Sequence, residues 1–252
     1  MVTEVQTNKI DADTHFNLTV DYHNLKDPLD RNQSVALTDV PLAKVDSSTL
    51  WADIETTGPR PHAYLGSASM DSDDAMRAEH ARRRSFIAFY GYSVQTHDAI
   101  AAITKFVGGR ATLEVCAGLG LWARLLSDAG VDIIATDGVL PQGLPHHAIH
   151  ELEAEAAVRT HRSRDVLLIC WPPDKQDLAS RALHAFTGAR LIFIGDERFT
   201  ADAEFHASLA SDWVLDRRLV LPSWPGLNDA LRLYTRRGGN PDACDLGRYP
   251  QQ

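Results

Sequence analysis

Leu113 to Leu126 reads LEVCAGLGLWARLL. It opens inside a short apolar run, ATLEVCA, with the length of a buried strand. Gly118 and Gly120 follow, one residue apart. Glycine at such a corner tolerates a positive φ and lets another group approach the backbone. From Gly120 to Ala129 the apolar residues repeat at helical spacing, and Gly130 stands at the C′ position. The stretch therefore reads as strand, tight turn and helix. One acid, Glu114, lies inside the strand.

The same alternation continues downstream. VDIIATD is a second strand, and ELEAEAAVRTH is a helix within the less regular segment 141–164. DVLLIC and RLIFIGD are apolar enough to be covered on both faces, as strands of a parallel sheet are. QDLASRALHAF and ADAEFHASLA are the helices that follow them. Two strand patterns close the run, WVLDRRLVLP and ALRLYTRR, with no helix between them. Repeated strand–helix units predict a doubly wound, mostly parallel, Rossmann-like α/β sheet. The closing pair predicts an antiparallel C-terminal hairpin at one edge.

Upstream, Asp71 and Ser72 cap a helix that ends at Gly91, and Thr96 caps a second, HDAIAAITKFV, that ends at Gly108-Gly109. The basic cluster EHARRRSF in the first helix reads as a solvated face. Before residue 70 the chain turns polar and rich in turn formers, with no long periodic element. The expected division is an irregular N-terminal arm or lid over 1–70, the α/β domain with its two leading helices over 71–238, and a tail over 239–252.

The 252 residues suit one domain with an extension. The formal net charge of -9 repels phosphate backbones and anionic membranes, so neither nucleic acid nor membrane is an expected partner. Three cysteines make no disulfide framework, and Cys116 and Cys170 end apolar runs as reduced, buried thiols. No Cys/His spacing suggests a zinc site, and no metal is expected. His146, His147 and His150 read as structural. MVTEVQTNKIDADTHF has no apolar core of a signal peptide, and no run is long enough to span a bilayer. A cytoplasmic location is expected.

Three occupants compete for the glycine corner: a dinucleotide pyrophosphate, S-adenosylmethionine, or only packed protein. GLGLWA matches G-x-G-x-x-A, and Asp137 ends the second strand, where a carboxylate can accept two ribose hydroxyls. Glu114 suits a ligand with an ammonium group rather than a pyrophosphate. Leu119, Leu121 and Trp122 crowd a pyrophosphate but not a thioether chain. The terminal strand pair is foreign to the usual nicotinamide domain. S-adenosylmethionine is the favoured reading. An NAD(P)-dependent oxidoreductase and a non-catalytic S-adenosylmethionine-binding partner module are the rivals.

From Glu114 to Arg236 the order resembles the class I S-adenosylmethionine-dependent methyltransferases. E-x-C-A-G-L-G is similar to their first motif, E-x-G-x-G-x-G, with Cys116 in place of the first glycine. Asp137 corresponds to the acid after their second strand, and CWPPD, Cys170 to Asp174, to their fourth motif. YGYSVQTHDAI looks like the aromatic segment that covers the methionine end of the cofactor. The resemblance implies cofactor contacts from Tyr90, Tyr92, Glu114, Cys116, Ala117, Gly118, Gly120, Trp122, Asp137 and Trp171. It implies methyl transfer as the activity, in the class I methyltransferase fold.

In relatives that methylate bases or amides, the fourth motif opens on Asp or Asn, which accepts N–H bonds of the target. Trp171 holds that position here, and an indole only donates. A small organic acceptor, methylated at O, C or N as in the tailoring of secondary metabolites, is expected instead. Asp174 is the candidate general base, with Glu197 and His206 as further catalytic candidates. Each has a structural reading beside it, as a helix cap or packed side chain. Asp196 and Trp224 also fall in loops near the expected site, and His97, in the first turn of the second helix, could reach it. The arm, with Trp51, His62 and Tyr64, is a candidate lid or homodimer contact.

Overall fold

The three-dimensional structure is a computed structural model, and it describes residues 45–59, 73–141 and 143–238. The tail, most of the arm with His62 and Tyr64, the Asp71 and Ser72 caps and the arm's dimer contact lie outside the described residues.

Part of the arm is not irregular. Ser47–Thr57 is a helix, α1. The Asp46 carboxylate caps it, accepting from the N–H of Ser48 at 3.1 Å and of Thr49 at 3.0 Å. Leu50 and Ile54, one turn apart, are buried in the core. Only these two residues are fully buried, too few to announce a periodicity in the sequence. The domain therefore begins before residue 70.

α2 (Asp73–Tyr90) and α3 (His97–Val107) follow. Thr96 caps α3 through Ala99 N–H at 3.1 Å, and Gly108 ends it at φ +59°. The basic cluster of α2 is not simply solvated. Arg82 pairs with the buried Glu79 at 2.9 Å and donates to Gly58 O at 2.7 Å. That bond ties the end of α1 to α2. Short range sequence cannot reveal it, because the partners are 24 residues apart.

The α/β alternation comprises β1 (Thr112–Val115), α4 (Leu121–Asp128), β2 (Ile133–Asp137), β3 (Ile149–Glu151), α5 (Ala154–Thr160), β4 (Val166–Cys170), α6 (Leu178–Ala185), β5 (Arg190–Gly195), α7 (Ala203–Asp212), β6 (Trp213–Val220) and β7 (Ala230–Arg236). The sheet order is β3-β2-β1-β4-β5-β7-β6. The pairs from β3 to β5 are parallel. β7 is antiparallel to both β5 and β6. The closing hairpin is thus present, but its second strand inserts beside β5 and leaves β6 at the edge. β3 was not expected. Ile149 is its only buried residue, so it shows no alternation to read.

Leu113, Val115, Leu167, Ile169, Leu191 and Phe193 face one side of the sheet, under α5, α6 and α7. Leu168, Cys170, Ile192, Ile194, Leu231 and Leu233 face the other, under α1, α3 and α4. Because β1 to β6 all run the same way, one edge of the sheet collects the turns after all six. This sheet order is that of the Rossmann-like class I methyltransferase fold. No helix among the described residues is long and apolar enough to cross a membrane.

Candidate functional site

The glycine corner lies at that carboxyl edge. Cys116, Gly118 and Gly120 have φ of +57°, +55° and +71°. Cys116 holds the left-handed conformation that usually calls for glycine, a strained choice for a residue with a Cβ. The glycine of the related motif is therefore explained by backbone geometry. At Gly120 an added Cβ would meet His147 at 3.2 Å and Ile149 at 3.3 Å. At Gly118 it would meet nothing within 4 Å, so the backbone is open to an incoming group.

Two carboxylates flank the corner. Asp137 Oδ2 accepts from Gly118 N–H at 2.8 Å, and Oδ1 from Val139 N–H at 3.0 Å. Burial raises its pKa, and the backbone bonds offset part of the rise. Each oxygen keeps a lone pair for a further donor. Glu114 is fully buried; its carboxylate oxygens make no hydrogen bond of full geometry, and the Ala123 N–H of α4 is the donor near them. Burial pushes its pKa up to about 8; the Ala123 N–H offsets part of the rise, and the nearby Asp137 charge adds to it. A buried carboxyl this weakly satisfied is costly unless a further donor or cation meets it.

Ala117 N–H donates to Thr136 O at 3.1 Å, which pins the corner to β2. The Cys116 thiol is half-buried and pushed well above its usual pKa by desolvation, so it stays neutral. Trp122 departs from expectation. It is 3% exposed, and its Nε1 donates to Ser93 Oγ at 2.9 Å. Ser93 Oγ in turn lies 3.4 Å from Cys170 Sγ. Trp122 thus fastens the segment before α3 to the end of β4 from within the core, and is not a wall of the open corner.

Tyr92 and Trp171 form a stacked pair at the carboxyl edge, 5.4 Å between centroids and 21° between planes. Tyr90 packs instead against Phe86 and His146. His146 is buried and bonds Phe89 O at 2.7 Å, consistent with its structural reading.

The expected catalytic carboxylates and histidine are not brought together. Asp174 is exposed and pairs with Lys175 Nζ at 3.1 Å; α6 starts at Leu178, so it is no cap either. Glu197 pairs with Arg232 Nε at 3.0 Å and closes over that buried guanidinium. His206 donates to Thr200 O at 2.8 Å and packs on Phe193 and Phe205. Asp196 is a latch. It accepts from Arg198 Nη2 and Asn228 N–H, both at 2.7 Å. Burial raises its pKa, but these bonds outweigh that and hold it at about 2.

The structure supplies another carboxylate, Asp229. It is fully buried at the start of β7. Trp171 Nε1 donates to its Oδ1 at 3.1 Å, while Oδ2 has no partner. Burial, then repulsion from Asp196, raises its pKa to about 7. Sequence showed only an acid before an apolar strand, and its nearness to Trp171 spans 58 residues.

These groups fit an amino-acid–nucleoside conjugate better than a pyrophosphate. Glu114 can meet an ammonium, Gly118 leaves room, and Asp137 has lone pairs for hydroxyls. The Asp137 carboxylate at the corner would repel a diphosphate, and a protonated Glu114 offers it no cation. Among the described residues no three His, Cys, Asp or Glu side chains stand close enough to hold a metal ion.

No family model and no curated protein matches the chain. Several solved structures resemble it in fold at low identity. TrmN from Thermus thermophilus is 15% identical over 62% of this chain, with a TM-score of 0.42; the chain spans 53% of that structure. Magnesium protoporphyrin IX methyltransferase from Synechocystis PCC 6803, with bound SAM, is 13% identical over 77% of this chain and 99% of its own, at 0.42. The 1,6-didemethyltoxoflavin-N1-methyltransferase of Burkholderia thailandensis, with bound S-adenosylhomocysteine, is 15% identical over 70% of this chain and 90% of its own, at 0.44. The tRNA (uracil-54, C5)-methyltransferase of Pyrococcus abyssi, in complex with S-adenosyl-L-homocysteine, is 14% identical over 57% of this chain and 39% of its own, at 0.38.

Proposed function

We propose that the protein transfers a methyl group from S-adenosylmethionine to a small organic acceptor at O, C or N, as in the tailoring of a secondary metabolite. The observation that carries this reading is Glu114, a fully buried carboxyl beside an open glycine corner, with only the Ala123 N–H of α4 near its oxygens and no cation among the described residues to meet its charge. Glu114 receives the ammonium of the cofactor's methionine part. Asp137 accepts the ribose hydroxyls while keeping the corner shaped through Gly118 N–H. Tyr92 and Trp171 bound the space beyond the corner and exclude water from it. Bound there, S-adenosylmethionine supplies an electrophilic methyl carbon on a sulfonium that leaves as a neutral thioether.

Asp229, not Asp174, takes the acceptor's proton where the acceptor is a hydroxyl or amine. Its free Oδ2 is the acceptor atom, and Trp171 holds the other oxygen in place. The net charge of -9 favours a small acceptor over a phosphodiester chain. The remainder of the arm serves as a lid or dimer contact, and the protein acts in the cytoplasm.

A second reading has one observation behind it. Asp174, Glu197 and His206 all have structural partners, as in a module that binds the cofactor without turnover. Calorimetry with S-adenosylhomocysteine, followed by product assays on an acceptor library, tests both. Saturable binding weakened at least about tenfold by Asp137→Ala is expected, since two hydroxyl bonds to a carboxylate are lost. Saturable binding of reduced nicotinamide cofactor with none of S-adenosylhomocysteine would overturn the proposal. Binding without turnover on every acceptor would favour the module.

A further inference from the structure

A cleft of about 790 Å³ opens between α1, the start of α3 and the loop joining β6 to β7. That loop follows the carboxyl end of β6, so the cleft is at the same edge as the glycine corner. Its walls are the segments that hold the corner's aromatic pair. Ser93, two residues before Gln95, touches Cys170. Asn228 N–H is latched to Asp196, and the next residue, Asp229, holds Trp171.

Three features define what the cleft accepts. Trp51 and His97 stack at 3.9 Å between centroids and 29° between planes, which makes one wall flat and aromatic. Leu221 and Leu227 face it from the β6–β7 loop. Gln95 lines the cleft at 3% exposure, and its carbonyl oxygen Oε1 is buried without a partner. A buried acceptor of that kind calls for a donor from outside the protein. Among the described residues that line the cleft the carboxylates are Glu55 and Asp98, and none is a lysine or arginine.

We propose that this cleft holds the acceptor as a flat aromatic molecule, neutral or cationic, with one O–H or N–H donating to Gln95 Oε1, a group separate from the one whose proton passes to Asp229. The flat ring lies along the Trp51–His97 wall. Carboxylates and phosphates are disfavoured, because Glu55 and Asp98 repel them and no lysine or arginine among the described lining residues compensates. Only the naming of this ligand as methyl acceptor rests on the reading above; the binding does not.

Calorimetry on the full chain without cofactor tests it, using 2-naphthol, 2-methoxynaphthalene and 2-naphthoate as probes. The first should bind, and the other two at least about tenfold more weakly, since one lacks the donor and the other is an anion. Gln95→Leu should bring 2-naphthol and its methyl ether to equal affinity. Trp51→Ala should weaken both by about tenfold. Naphthoate binding as tightly as naphthol would overturn the proposal, with no variant needed. So would Gln95→Leu that retains S-adenosylhomocysteine binding and the full preference for naphthol. Loss of S-adenosylhomocysteine binding alone would sink the methyl-transfer reading and leave the cleft standing. Naphthol failing while S-adenosylhomocysteine binds would do the reverse.

Discussion

Glu114 is the residue on which proton linkage should be visible. Its pKa near 8 without ligand means that, at neutral pH, the carboxyl carries a proton that an arriving ammonium must displace. Binding then favours the ionised form, so affinity for S-adenosylhomocysteine should rise by up to about tenfold per pH unit from pH 6 towards 8 and then level off. Calorimetry in buffers of different ionisation enthalpy should register release of close to one proton at pH 7. Glu114→Gln should abolish both the slope and the release. Asp229 predicts a different limb. Below about pH 7 it is protonated and cannot take a proton. Turnover should rise through that pH, and Asp229→Asn should lose the limb and about a hundredfold in kcat. Cys116 was legible as the motif's odd residue, but its φ of +57° was not. Cys116→Gly removes a strained conformation and should raise the melting temperature by a few degrees, to the extent of about 1 kcal/mol.

At the scale of elements, apolar runs and caps found most of the secondary structure. DVLLIC and RLIFIGD became β4 and β5, and HDAIAAITKFV became α3 with its Thr96 cap. The misses were α1 and β3. Both rest on few buried residues, so their stability comes from what they dock against. α1 contributes Leu50 and Ile54, both 1% exposed, to the same core as α3 and the sheet. Leu50→Ala should cost about 2–5 kcal/mol in denaturant unfolding. A loss below about 1 kcal/mol would mean that α1 is a detachable arm after all. The strand pair at the end was legible as antiparallel. Its insertion beside β5 was not, because strand order is a matter of long-range pairing.

Over the whole molecule, two buried acids set the pH dependence of stability. Glu114 moves from 4.5 to about 8, and Asp229 from 3.8 to about 7. The folded state therefore binds more protons than the unfolded chain within those windows. Stability is full below about pH 4 as far as these groups are concerned, and is lost as pH rises through 7 and 8. The slope is up to about 1.4 kcal/mol per pH unit for each group. Thermal unfolding of the free protein should thus shift down between pH 5 and 8, and Glu114→Gln with Asp229→Asn should flatten the trend. A bound cofactor should restore stability most at the upper end, because it needs Glu114 ionised.

By itself, the order of strands, helices and glycines in the sequence determined the α/β class, the corner from Cys116 to Gly120, and the two acids beside it. Those features are local: a strand's covered faces, a turn's need for positive φ and a cap's hydrogen bonds are all written within a few residues. Tertiary structure alone decided that Trp122 is a core strut, that Asp174, Glu197 and His206 are engaged elsewhere, and that Asp229 stands under Trp171. Each of those outcomes depends on which distant segment meets the side chain, and on how much water that meeting removes.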